Sequence, residues 1–170
     1  DIKNRRLRDG EWGREFVLVF ASDVAKGHKG QEGLSFDIII TEADIENLNR
    51  AKAAIFAAAS ILVKHMGLDF SAVEKFFIAG GFGTSLDIDK SIIIGLLPDI
   101  KREKFIFIGN SSLVGARQAL LSSEAHEKIQ DIARKMTYFE LSIDPHYMDE
   151  YVGGLFFPHT EIARFPSVLV

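Results

Sequence analysis

An α/β fold, with a parallel or mixed sheet and helices packed on it, is what this sequence predicts. Two short apolar runs, Phe76-Phe77-Ile78-Ala79 and Phe105-Ile106-Phe107-Ile108, are each followed by a glycine-containing turn and then by a helical pattern. Continuous apolar strands that alternate with helices belong to sheets covered on both faces. The 170 residues are 47% hydrophobic and 26% charged, the balance of a globular chain with a real core rather than a disordered one.

The elements follow in order. The first eleven residues mix Lys3, Arg5, Arg6 and Arg8 with Asp1, Asp9 and Glu11 and read as a solvated segment. Phe16–Phe20 is five β-formers in a row and predicts a strand. Residues 21–35, with Gly27, Gly30 and Gly33 among polar residues, read as a connector. Phe36–Ile40 predicts a second strand. Thr41-Glu42-Ala43-Asp44 carries an N-cap with an acid at the third helical position. Ile45, Leu48, Ile55, Ala59, Leu62 and Met66 then recur at helical spacing, with Lys52 interrupting the stripe and Gly67 as the stop. Alanines at 51, 54, 57 and 58 fill the neighbouring faces, so the helix is expected to pack on more than one side. Ser71-Ala72-Val73-Glu74 is a second capping signal, before a short turn. Asp87 caps a helix expected to reach Leu97, a second helix runs from Leu113 to Leu121, and Ser123 opens a third through Met136. Tyr138–Ile143 reads as a last strand. The tail, with Pro145, Pro158 and Pro166, reads as irregular but apolar at Leu155-Phe156-Phe157.

Charge and composition exclude several function classes. A net charge of -4 argues against a nucleic-acid binder, which carries a basic face. With no cysteine there is no disulfide framework, thiolate zinc site, cysteine nucleophile or cysteine-held iron–sulfur cluster within these residues, and a reducing, cytoplasmic setting is expected. No apolar run approaches the roughly 20 residues needed to span a bilayer. The five histidines lack metal-ligand spacing, so no metal-ligating residues are assigned. Ser111 and Ser112 lack the frame of a nucleophile elbow. Opening on Asp1 with no initiator Met and no secretory pattern, the chain reads as the last portion of a longer protein.

The two glycine turns carry the functional expectation. In an open α/β sheet, ligands sit beyond the carboxyl ends of the strands. Glycine allows close backbone approach, and the helix that follows presents unpaired N–H groups to an anion. Gly80-Gly81-Phe82-Gly83 and Gly109-Asn110 are therefore the candidate nucleotide-binding residues, with plain tight turns as the competing reading. No P-loop motif is present, and the run from Gly81 departs from a dinucleotide fingerprint at Leu86.

Longer motifs point further. Thr41-Glu42-Ala43-Asp44-Ile45, Ala51-Lys52-Ala53-Ala54-Ile55, Ile78-Ala79-Gly80-Gly81-Phe82-Gly83, Ile94-Gly95-Leu96-Leu97-Pro98, the run Ile108–Ala116 and Phe156-Phe157-Pro158-His159 occur in that order. Together, from about Phe36 onward, they resemble the C-terminal domain of the reductive activators of corrinoid proteins. That resemblance implies the actin-like, ribonuclease H-like ATPase lobe of the acetate-and-sugar-kinase, chaperone and actin superfamily. It implies ATP with magnesium as cofactor and a corrinoid protein or corrinoid methyltransferase as partner, whose inactive cobalt(II) is returned to cobalt(I). It implies that the Gly80–Gly83 turn holds the adenosine and that the preceding helix borders the base, near Asn49 or Lys52.

The departures from that family are equally specific. The cysteines of the ferredoxin-like domain and the Asp-x-Gly-Thr-Thr phosphate turns are not in this sequence. Residues 1–35 are accordingly read as a strand and connector of the same lobe, and 36–170 as the C-terminal ATPase-like lobe. The iron–sulfur cluster is expected only in an N-terminal part of a longer protein. The 170 residues alone are expected to bind ATP weakly or not at all and to be inactive. The missing half of the chain and a second copy are further candidate partners. An inert docking or dimerisation domain that retains the ATPase fold is the alternative reading, and a nicotinamide oxidoreductase is disfavoured by Leu86.

Overall fold

A computed structural model describes residues 6–11, 13–23, 36–81 and 83–168. The expectations for 24–35 and for Phe82 lie outside the described residues. The chain divides into two compact units, 1–51 and 52–170.

The first unit is an antiparallel meander of β1 (Leu7–Gly10), β2 (Gly13–Val19) and β3 (Ile38–Thr41). Leu7 lies opposite Phe16, and Phe16 opposite Ile40. Within the segment read as solvated, Leu7–Gly10 is therefore a strand, while Lys3 and Arg5 lie outside the described residues. Arg6 and Arg8 bond across the sheet: Arg8 pairs with Glu15 at 2.6 Å and Asp37 at 2.7 Å, and Arg6 donates to the carbonyls of Val17 and Leu18. Cross-strand ion pairs of this kind support pairing that composition alone does not reveal.

Helix α1 (Glu42–His65) starts as its sequence indicates. Asp44 accepts from the N–H and the hydroxyl of Thr41, and Thr41 Oγ1 accepts from the Asp44 N–H at 3.1 Å. The Thr41 N–H holds the Asp44 carboxyl below its ordinary value. The buried face of α1 is not the expected stripe, however. Lys52, Ala53, Phe56, Ala57, Ser60 and Ile61 are buried, whereas Ile45, Leu48, Ile55, Leu62 and Met66 are exposed. The partner of this face is the C-terminal segment, which offers carbonyls and small residues: a Cβ on Gly154 would stand 3.1 Å from the Ala53 Cα.

In the second unit β4 (Phe76–Ala79) and β5 (Phe105–Gly109) form a parallel pair, with α2 (Ile88–Ile93) in the crossover. Phe56, Ile78, Ile92, Leu97, Phe105 and Phe165 belong to one core. Asp87 caps α2 by accepting from the Lys90 N–H at 3.0 Å. The helix stops at Ile93, short of Leu97, because Gly95 turns the chain with φ +76. Two longer helices, α3 (Ser111–Leu121) and α4 (Ser123–Lys135), meet at Ser122, whose hydroxyl accepts from the Ala125 N–H. Tyr138–Ile143 is not a strand: it contains one 3-10 turn, Leu141–Ile143. β-Formers without a partner strand do not make a sheet. The tail contains a further helix, α5 (Tyr147–Gly153). No helix among the described residues is long and apolar enough to cross a membrane.

The C-terminal segment is fastened by buried polar groups. Glu150 on α5 accepts from Lys64 and, at 2.9 Å, from Arg164, which also donates to Ser60 Oγ at 2.8 Å. Burial by itself raises the Glu150 carboxyl, but the hydrogen bonds from Lys64 and Arg164 outweigh it and hold the group below its ordinary 4.5. A carboxylate depressed in the folded state contributes stability above its unfolded pKa, and that contribution disappears as pH falls through the folded value. Glu150→Gln is therefore expected to flatten the acid limb of stability below pH about 4.5. Urea titrations of both proteins between neutral pH and pH 3 check this, and parallel acid limbs would refute it.

Candidate functional site

Because β4 and β5 run parallel, their carboxyl ends lie side by side. The register shifts there: Ile78 is opposite Phe107, but Ala79 is opposite Gly109, so Ile108 is the extra residue of a bulge. Just past the shift, the Gly80 N–H donates to the Gly109 carbonyl at 2.7 Å. Gly80 has φ +90 and Gly109 φ +62, conformations that side chains with a Cβ adopt only with strain. Both strands thus end in a left-handed glycine, and one hydrogen bond ties the two turns together.

The space around these turns distinguishes their residues. Among the described residues, a Cβ placed on Gly80, Gly81 or Gly109 would meet no heavy atom within 4 Å. At Gly83 it would stand 2.6 Å from Ile78 Cγ2, so Gly83 serves the packing of its turn onto β4. Asn110 caps α3: its side-chain carbonyl accepts from the Leu113 N–H at 3.0 Å. The amide NH2 of the same side chain has no hydrogen-bond partner among the described residues.

Lys52 has other partners. Its ammonium donates to the carbonyls of Gly154 at 2.5 Å, Pro158 at 3.2 Å and Phe156, and lies 5.0 Å from the Phe157 ring centre. Burial draws its pKa from 10.5 to about 8. The structure therefore brings Gly80, Gly81, Gly109 and Asn110 to one edge and gives Lys52 to the C-terminal segment. Asn49 Oδ1 is buried without a hydrogen-bond partner among the described residues. No group of three His, Asp or Glu residues able to hold a metal ion occurs among the described residues. The bulge at Ile108 and the capping by Asn110 went unread in the sequence. The Asn-Ser-Ser opening of α3 was the available signal for the cap.

The family model described as the C-terminal domain of RACo, the ASKHA domain, matches residues 1–169. The chain belongs to this family. The ASKHA domain is an actin-like α/β domain, in line with the fold class expected from the sequence. It is 35% identical over 156 residues to the corrinoid activation enzyme RamQ of Eubacterium limosum, over 92% of this chain and 25% of that protein. It is 31% identical over 100 residues to the [Co(II) methylated amine-specific corrinoid protein] reductase of Methanosarcina barkeri, over 59% of this chain and 18% of that one. A solved structure, a reductive activator for a corrinoid, iron–sulfur protein, superposes with a TM-score of 0.84 at 52% identity. The match covers 96% of this chain and 25% of that one. The chain thus spans about a quarter, or less, of the length of these relatives.

Proposed function

We propose that this domain forms the adenosine side of an ATP-dependent reductive activator that returns cobalt(II) corrinoid proteins to cobalt(I). The observation that carries the reading is the pair of glycine turns at the carboxyl ends of β4 and β5. They are joined by the Gly80–Gly109 hydrogen bond and open at three Cβ positions. Glycine backbone suits the close approach of a ribose and base, and the NH2 of Asn110, without a partner among the described residues, supplies a donor at the same edge. The activities in the relatives' names support the corrinoid assignment.

ATP, bound with magnesium, supplies the driving force for an unfavourable one-electron reduction. An iron–sulfur cluster held outside these residues would supply the electron, and the substrate cobalt would pass from cobalt(II) to cobalt(I). The residues in this chain bind and orient the nucleoside. Gly80 and Gly109 set the backbone path, Gly83 packs the turn on Ile78, and Asn110 holds the start of α3 in place. The partner is a corrinoid protein or a corrinoid methyltransferase.

Gly81 gives the cleanest test. Its φ lies outside the left-handed region and the space beside it is empty of atoms of the described residues, so Gly81→Val places a branched side chain where a ligand would approach the backbone. In the full-length protein, ATP affinity measured by calorimetry is expected to fall at least about tenfold, or about 1.4 kcal/mol. The melting temperature is expected to stay within about 2 °C, since an open surface position carries little stability. Unchanged affinity in a folded variant removes these glycines from the site.

A further inference from the structure

We propose that a cleft at the amino ends of β4 and β5 is a second ligand site, one that takes a small amphipathic anion: an aromatic or aliphatic body bearing a carboxylate, sulfonate or phosphate. The site lies at the opposite end of the parallel pair from the glycine turns. Its walls come from the last turns of α1, from Asp69–Ser71 ahead of β4, from the chain between Asp99 and Lys104 that leads into β5, and from the C-terminal segment. The cavity measures about 870 Å³, within the roughly 300–1,000 Å³ of small-molecule sites.

The lining combines an apolar wall with charged groups, which are seven of its thirteen residues. Val63, Phe70, Ile100 and Pro166 supply the apolar surface. Lys64, Lys101, Lys104 and Arg164 supply cations, against the carboxylates of Asp69, Asp99 and Glu161. Most of these charges are already engaged. Lys64 and Arg164 pair with Glu150, and Glu161 lies 3.8 Å from Arg164. Asp99 accepts from Arg102 at 2.9 Å and from Ser167. Asp69 is turned to cap Ser71, accepting its N–H at 2.7 Å.

What remains is cationic. Lys104 donates to the carbonyls of Ser71 and Val73 and has no ion pair among the described residues, so Lys101 and Lys104 together leave two ammonium groups against the single carboxylate of Asp69. Lys101 has no side-chain partner among the described residues. An apolar wall beside two ammonium groups without ion pairs selects a ligand with an apolar body and one anionic group.

The probes are 1-anilinonaphthalene-8-sulfonate and its neutral counterpart N-phenyl-1-naphthylamine, titrated fluorimetrically into the full chain. Lys101→Glu and Pro166→Trp both alter exposed residues of the cleft and leave the core untouched. Lys101→Glu is expected to weaken the sulfonate at least fivefold and leave the neutral probe unchanged. Pro166→Trp is expected to weaken both probes, and Gly81→Val neither. Octanoate and 1-naphthyl phosphate serve as competitors, and displacement of the sulfonate by either one supports the proposal and ranks the head groups. Displacement by neither overturns it, as does sulfonate binding that Lys101→Glu and Pro166→Trp leave unchanged. Because Gly81→Val reports on the glycine turns alone, failure at the cleft and failure of the nucleotide reading are separate results.

Discussion

Replacing Gly95 by alanine is expected to lower the unfolding free energy by about 3 kcal/mol, the sum of a left-handed backbone cost of about 1–2 and an overpacking cost of about 1–3. Gly95 has φ +76, and its added Cβ would stand 2.0 Å from the Pro158 carbonyl oxygen and 2.7 Å from its carbon. Those are backbone atoms, which cannot rotate aside as a side chain can. The same carbonyl accepts from Lys52, so retreating from the new methyl stretches a second buried contact. Urea unfolding of the second unit reads the effect as a lower midpoint at unchanged slope. A loss under about 1 kcal/mol would mean that the turn re-forms elsewhere.

Lys52→Met is expected to cost as much or more, about 3–5 kcal/mol, from about 1–3 kcal/mol for each buried acceptor left without a donor. Met matches the aliphatic stem in length, so a cavity is not the cause. The loss arises from leaving the carbonyls of Gly154, Phe156 and Pro158 without their donor. Nucleotide affinity separates this role from the one the family resemblance implies. A latch residue lowers stability and leaves ATP affinity in the folded protein unchanged, whereas a residue at the base lowers both. The pH dependence has a definite sign. The unfolded ammonium titrates near 10.5 and the folded one at about 8, so the unfolded chain holds more protons between those values. The wild type therefore gains stability relative to Lys52→Met as pH rises from 8 toward 10.5, with little change between pH 6 and 7.5.

Local chemistry was legible in the sequence; partners distant along the chain were not. The runs Phe76–Ala79 and Phe105–Ile108 announced β4 and β5 through their continuous apolar side chains, but the pair is not covered on both faces as that pattern suggests, since Phe77, Phe107 and Ile108 are exposed. The Thr41–Asp44 cap and the Asp87 cap were readable because a cap closes within a few residues. The glycine turns were readable for the same reason. The buried face of α1 was not. Periodicity ranks faces by hydrophobicity, and it favoured Ile55 and Leu62 over the face that carries Lys52 and Ser60. That polar face is buried because carbonyls and Arg164, about a hundred residues later, satisfy it. Tyr138–Ile143 failed for the converse reason, since its β-formers found no neighbouring strand. At the site, the pairing of Gly80 with Gly109 depends on the one-residue bulge at Ile108, a feature of register rather than of composition.

The reach of the Lys52 contacts has a consequence for synthesis. The acceptors lie 102 to 106 residues beyond the lysine, and Ser60 waits 104 residues for Arg164. At about 5–20 residues per second on the ribosome, α1 emerges roughly 5–20 s before anything can neutralise its polar face. Throughout that interval the nascent helix carries an ammonium and the Phe56 ring side by side, both lacking the groups that later bury them. Closure of this face waits for residues 150–165 and does not proceed by accretion from the front.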